Sequence, residues 1–237
     1  MKKPQKKDII YLSVILLLVV ALVTVSVLWA VGSRSEEESY YDKKCASFAV
    51  QNTNLAKGQI VFIGDSITDY FPLDGYFADL PQATYNRGIG GDTTSGVLAR
   101  LKVSLYDLAP AKIVLLIGIN DINGGVADEV ILSNYREILL SIKTNLPTAE
   151  VNCISILPMN EVVTAYGVNL PAALRRIKTL NEEIRIAAEG SGYRYVDLFS
   201  SVRDERGQLT EGFSDDGIHL NADGYAVWAS VIKPFLQ

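Results

Sequence analysis

The sequence predicts an α/β protein, a three-layer α/β/α sandwich built on a five-stranded parallel sheet. Three observations carry this prediction. From residue 59 onward, short apolar runs alternate with longer stretches of helical period. The short runs are almost continuously apolar, as strands buried on both faces are. The first three are each followed by a polar segment rich in Gly, Asp or Asn, at the end of the sheet where open α/β folds gather their ligands. A doubly wound, flavodoxin-like sheet of order 2-1-3-4-5 is a common solution for five such units.

The elements follow in order. A helix over Tyr41–Thr53 opens the domain, and Gln59–Ile63, bounded by Gly58 and Gly64, is the first strand. Thr84–Asn86 is a shorter strand, and Thr94–Leu108 is a helix with Val97, Leu98, Leu101 and Leu105 on one face. Lys112–Ile117 is the strongest strand, followed by a helix over Asp128–Leu146 whose apolar face holds Ile131, Tyr135, Ile138 and Ile142. Val151–Leu157 is a strand ended by Pro158, and Leu174–Ala188 is a helix with Ile177, Leu180 and Ile184 inward. Tyr193–Val196 is the last strand, and a helix over Ala222–Phe235 closes the chain. No internal repeat interrupts the pattern, so residues 41–237 read as one domain.

The N-terminus has a different character. Ile9–Val31 carries no charged side chain, and at 1.5 Å per residue such a run spans roughly 30 Å of hydrocarbon. Lys2, Lys3, Lys6 and Lys7 precede it against Asp8 alone, and Glu36–Glu38 follow it. The expectation is a cytoplasmic basic tail (1–8), a single transmembrane helix (9–31), a polar linker (32–40) and an extracytoplasmic domain. A cleaved signal sequence ending near Ala30-Val31-Gly32, releasing a secreted domain, is the alternative, although its apolar core would be shorter.

Charge and residue usage exclude several classes. The net charge is −5, and residues 1–31 contribute +3, so residues 32–237 carry −8. No basic stripe is present, and nucleic acid is not an expected partner. His219 is the single histidine, so no zinc or other metal site is expected. Only Cys45 and Cys153 occur; they are compatible with one disulfide outside the cell, but a buried free thiol is the better reading of the apolar run around Cys153.

Four polar blocks carry chemistry. Gly64-Asp65-Ser66-Ile67-Thr68-Asp69 follows strand one; a serine at a strand-to-helix turn presents its hydroxyl outward, although a turn or helix cap uses the same residues. Asn86-Arg87-Gly88-Ile89-Gly90-Gly91-Asp92 follows strand two, and its glycines let backbone approach a ligand or merely form a loop before a cap. Gly118-Ile119-Asn120-Asp121 follows strand three, where Asn120 donates into the same cleft or closes an Asx turn. Asp216-Gly217-Ile218-His219 precedes the last helix; a carboxylate three residues before an imidazole can hold one ring nitrogen as N–H and leave the other as base.

In this order the four blocks resemble the SGNH, or GDSL, hydrolase superfamily of esterases and lipases, over roughly residues 58–232. The glycine block also looks like that of the platelet-activating-factor acetylhydrolase subgroup. The resemblance implies Ser66 as nucleophile with Asp216 and His219 completing the triad, and Ser66, Gly91 and Asn120 as the oxyanion hole. Within it, the family spacing N-x-G-x-x-G selects Gly91 over Gly90, and D-x-x-H selects Asp216 over Asp215. The implied chemistry is ester hydrolysis through an acyl-enzyme, without a cofactor, on a small-molecule, glycan or lipid ester. Acyl transfer at the same site, a lysophospholipase, and a non-catalytic glycan-binding module are the competing readings. Brief connections after the strands favour a short acyl group such as acetyl; the one long connection, Pro158–Leu170, is the place where a larger groove would form.

Overall fold

The computed structural model describes residues 40–237, together with Ile15, Leu18, Val20, Ala21 and Thr24, which are helical and exposed. The expected anchor at 9–31 otherwise lies outside the described residues, as do the basic tail and nearly all of the linker. Among the described residues, no helix is long and apolar enough to cross a membrane. The chain divides into two units, Met1–Lys44 and Cys45–Gln237, and the second holds the sheet.

Five parallel strands, β1 (Ile60–Gly64), β2 (Thr84–Gly88), β3 (Lys112–Leu116), β4 (Glu150–Ile154) and β5 (Arg194–Val196), form one sheet in the order 2-1-3-4-5. β1 and β3 are buried at every position. Both faces of the sheet are therefore covered, which is why these strands are apolar runs instead of alternating ones. Helix α1 (residues 40–52) precedes the sheet. The remaining helices are α2 (Ser66–Asp69), α3 (Asp74–Phe77), α4 (Thr94–Ala99), α5 (Ile119–Asn123), α6 (Asp128–Asn145), α7 (Leu170–Gly190), α8 (Phe199–Val202) and α9 (Ala222–Ile232). α4, α6 and α7 pack side by side, while α3 and α8 pack on α9. On the α9 side, Phe62 of β1 meets Phe71, Phe77 and Trp228 in an aromatic cluster.

Three elements differ from the periodicity. The helix expected over Thr94–Leu108 is α-helical only in its first part, and Lys102–Tyr106 is a π-turn. The wider turn still brings Leu101, Leu105 and Leu108 into the core, and beyond its end at Tyr106 the residue Ala109, with φ of 41°, turns the chain into Pro110. The fourth strand stops at Ile154 instead of Leu157. Beyond it, the Asn181 side chain takes over the role of a neighbouring strand: Ile156 N–H donates to its Oδ1 at 2.7 Å, and its Nδ2 donates to Ile156 O at 2.9 Å. α7 begins four residues earlier than its pattern, at Leu170, because Asn169 caps it and Pro171 is preorganised for a first turn. Cys153 is a buried free thiol, pushed up to about 12 by burial.

α1 matters for the site. The Arg87 guanidinium of β2 is buried against it, donating to Gln51 Oε1 at 3.1 Å and Asn52 Oδ1 at 2.8 Å, over the Phe48 ring at 4.6 Å. Asn52 Nδ2 donates in turn to Val103 O at 2.7 Å. Thus α1 is fastened to both ends of the segment that carries the glycine block.

Candidate active site

β1 must end sharply. A Cβ at Gly64 would stand 2.1 Å from Leu116 O and 2.4 Å from Thr68 Oγ1, so only glycine lets the chain turn here. Asp65 then caps α2, its Oδ1 accepting the Ile67 N–H at 3.0 Å. Ser66 is the first residue of α2 and 6% exposed. Its Oγ lies 2.8 Å from His219 Nε2, and His219 Nδ1 lies 2.6 Å from Asp216 Oδ2.

The aspartate is itself held. Asp216 Oδ1 accepts the backbone N–H groups of Ile218 at 2.9 Å and His219 at 2.8 Å. Partial burial pushes this carboxyl up, but the His219 ring and those two N–H groups outweigh it and hold it below the usual carboxylate range. An ionised carboxylate only accepts, so the proton sits on Nδ1 and Nε2 is left to accept from the Ser66 hydroxyl. The Tyr70 ring lies 5.3 Å from the His219 ring.

The glycine block and Asn120 meet beside this line. Asn120, in the first turn of α5, donates from Nδ2 to Asp92 O at 2.8 Å, next in the chain to Gly91. Gly91 has φ +78°, with open space where a Cβ would be, so its demand is conformational. The Gly90 N–H is taken by Asp69 Oδ2 at 3.1 Å. The Gly91 N–H, like that of Ser66, has no acceptor among the described residues. Asn86 ties the block to α2, its Nδ2 donating to Thr68 O at 2.7 Å. All five residues singled out by sequence therefore fall in one region, at the carboxyl ends of β1, β2 and β3 and before α9.

A second, buried layer was not legible. Arg100 donates from Nε to Asp92 Oδ2 at 2.7 Å and from its two terminal nitrogens to Arg87 O at 2.7 Å, Ser104 Oγ at 2.8 Å and Gly64 O at 2.9 Å. One guanidinium thus binds the carbonyl before Asp65, the start of the glycine block at Arg87, and the aspartate beside Gly91. Asp121 accepts the Thr94 N–H at 2.9 Å and the Thr94 hydroxyl at 2.7 Å. The available signal was Arg100 itself, a charge on a helix between the buried Val97 and Leu101.

Asp65 in this layer is fully buried, and its Oδ2 has no hydrogen-bond partner. Burial, reinforced by Asp92 and Asp121 and opposed by the Ile67 N–H and Arg100, pushes its carboxyl up to about 7. The folded state therefore holds this proton more tightly than the unfolded chain. The stability it contributes is present in acid and is lost as pH rises from about 4 through 7. Asp65→Asn keeps the cap acceptor and removes the titration. The parent is expected to lose stability relative to this variant between pH 5 and pH 8, read as urea midpoints. Parallel pH profiles for the two proteins would refute the assignment.

Comparison with known proteins agrees with this arrangement. The family model described as GDSL-like Lipase/Acylhydrolase matches residues 62–227. The human platelet-activating factor acetylhydrolase IB subunit alpha2 is 34% identical over 180 residues, covering 74% of this chain and 73% of that protein. A structure from Streptococcus pneumonia, assigned provisionally as a platelet activating factor, superimposes with a TM-score of 0.80 at 30% identity, over 91% of this chain and 99% of the other. An acetylxylan esterase from Geobacillus stearothermophilus shares the fold, with a TM-score of 0.63 at 18% identity over 76% of this chain and 94% of that one. With the family model spanning most of the sheet and its loops, the chain belongs to the GDSL-like lipase/acylhydrolase family and is a serine ester hydrolase.

Proposed function

We propose that Ser66 attacks carboxylic esters of short acyl groups, acetyl above all, with His219 as base and Asp216 holding the imidazole in its working tautomer. The observation that carries this is the continuous line from Ser66 Oγ through His219 to Asp216, with separations of 2.8 and 2.6 Å. His219 Nε2 takes the serine proton as Oγ bonds to the acyl carbon. The carbonyl oxygen gains charge and is met by the Ser66 and Gly91 N–H groups and the Asn120 amide. His219 then gives the proton to the departing alcohol, and a water deprotonated by His219 releases the acid and restores the serine. Each step is a proton transfer or acyl transfer among these side chains, the ester and one water.

The short acyl group is supported by the brief connections that lead from β1, β2 and β3 into the helices that follow, which hold no long segment to form an acyl groove. Ile67 and Ile119, next in the chain to Ser66 and Asn120, are both packed into the core. The curated relatives at 34% identity also carry an acetylhydrolase name. The test is kcat/KM across acetyl, butyryl, octanoyl and palmitoyl esters of one alcohol. A steep fall after butyryl is expected, and a maximum at octanoyl or longer would sink the reading in favour of a lipase.

The proposal includes the location. Residues 9–31 anchor the enzyme, and the lysine-rich start stays in the cytoplasm, leaving the catalytic domain outside. Protein lacking residues 1–35 is then expected to be soluble and active, because α1 and its contacts to Arg87 remain. Full-length protein should fractionate with membranes, and protease added to intact cells should remove the activity. Protection until lysis would reverse the topology.

A further inference from the structure

We propose that the cavity between α5 and the start of α7 is a subsite for a neutral sugar ring, so that the alcohol half of the substrate is a glycan. This rests on the ester-hydrolase reading above and names the substrate class of that same centre. The cavity has a volume of about 290 Å³. One wall is Ile122 and Asn123 of α5. Asn120 stands on the same short helix, about one turn away, or roughly 5 Å. The other wall is Tyr166–Asn169, the end of the long connection between β4 and α7. That connection is fastened to the acid–base loop at its beginning, where the Asn160 N–H donates to Gly217 O at 3.1 Å. One wall therefore continues the helix that carries Asn120, and the other belongs to a segment hydrogen-bonded to the loop that carries Asp216 and His219.

The lining selects among ligands. Ile122, Val168, Ala172 and Ala173 supply a small aliphatic floor. Tyr166 is 73% exposed, an aromatic ring standing in solvent at the cavity, where Gly167 at φ +82° turns the chain away. Asn169 spends its Oδ1 on capping α7, accepting from Ala172 N–H at 3.2 Å, so its amide donors are what it can offer a ligand. Asn123 is exposed on the opposite wall. Arg176 is the one cation among the described lining residues, and it is already committed to Asp128 Oδ1 at 2.6 Å and to the Ile122 and Val126 carbonyls. No free positive charge meets a phosphate here, and the chain as a whole is negative at −5.

A sugar ring has one face of C–H groups and a rim of hydroxyls. An aromatic ring at the edge of an aliphatic floor can take the face, and side-chain amides the rim. A lipid tail needs a long apolar groove, whereas this cavity is at the lower bound of small-molecule sites and holds about one ring. Its distance from Asn120 suits the residue adjoining the acylated one.

The experiment compares mono-O-acetylated xylose, mono-O-acetylated xylotriose and p-nitrophenyl acetate. The parent is expected to prefer the trisaccharide to the monosaccharide. Tyr166→Ala should lower kcat/KM on the trisaccharide about tenfold, mainly through KM, and leave p-nitrophenyl acetate unchanged. Asn123→Ala should act in the same direction. Binding of acetylated xylotriose to the Ser66→Ala protein, followed by calorimetry, should persist and be lost in Ser66→Ala/Tyr166→Ala. An equal effect of Tyr166→Ala on all three esters, or none on the trisaccharide, overturns the subsite. So does a loss on a 2-acetyl phospholipid, assayed alongside as a fourth ester, with the trisaccharide unaffected, which would make the occupant a lipid. Failure of the parent on p-nitrophenyl acetate strikes instead at the catalytic reading, and calorimetry still reads the subsite.

Discussion

Replacing Ser66 by alanine is expected to reduce p-nitrophenyl acetate turnover to background, a loss of about 10⁴-fold or more in kcat. The substitution removes one oxygen, the atom 2.8 Å from His219 Nε2. It leaves the fold intact, because the turn is set by Gly64 and by the Asp65 cap, neither of which involves the serine side chain. Alanine is also the best helix former for the first position of α2. Circular dichroism and turnover measured on the same sample make the test decisive. Unchanged secondary structure with retained turnover would move the nucleophile elsewhere. The non-catalytic reading fails by the complementary result, turnover in the parent that vanishes in the variant.

Asp216→Asn is expected to lower kcat by about 10⁴-fold at neutral pH while leaving the loop folded. The variant's side-chain oxygen still accepts from the Ile218 and His219 N–H groups, which Oδ1 accepts now at 2.9 and 2.8 Å. Its amide nitrogen then faces Nδ1 and donates to it. The ring proton is driven to Nε2, and Ser66 loses the acceptor for its hydroxyl. A purely structural aspartate would show instead a lower urea midpoint with kcat preserved. The pH dependence has a defined sign. The Asp216 carboxyl is held below its usual range, so the stability it contributes is present above about pH 4 and is lost as acid drives it through its lowered folded value.

The main features were readable because they are long or chemically unusual. The five strands and their order follow from apolar runs such as Lys112–Leu116, and the candidate site residues come from three blocks at strand ends and a fourth before the last helix. Short elements gave no period to read. α2, α3 and α8 have four residues each, one turn apiece, and are defined by caps and packing instead. Arg100 and Asp121 could not be read because their meaning lies in partners far away in sequence, Gly64 and Thr94. Asn181 is the clearest case: a polar residue on an otherwise amphipathic helix that completes the hydrogen bonding of Ile156.

The position of His219 also makes the centre observable by spectroscopy. The sequence has one histidine, so every imidazole signal from a ¹⁵N-labelled sample of this 25.9 kDa chain originates at this centre and needs no assignment. A proton held between Nδ1 and Oδ2 across 2.6 Å is strongly deshielded and falls far downfield of the amide envelope. Nε2, facing the serine hydroxyl, reports separately whether that oxygen is free or acylated. The tautomer, the state of the aspartate and the lifetime of an acyl-serine can thus be followed in one resonance pair while turnover proceeds.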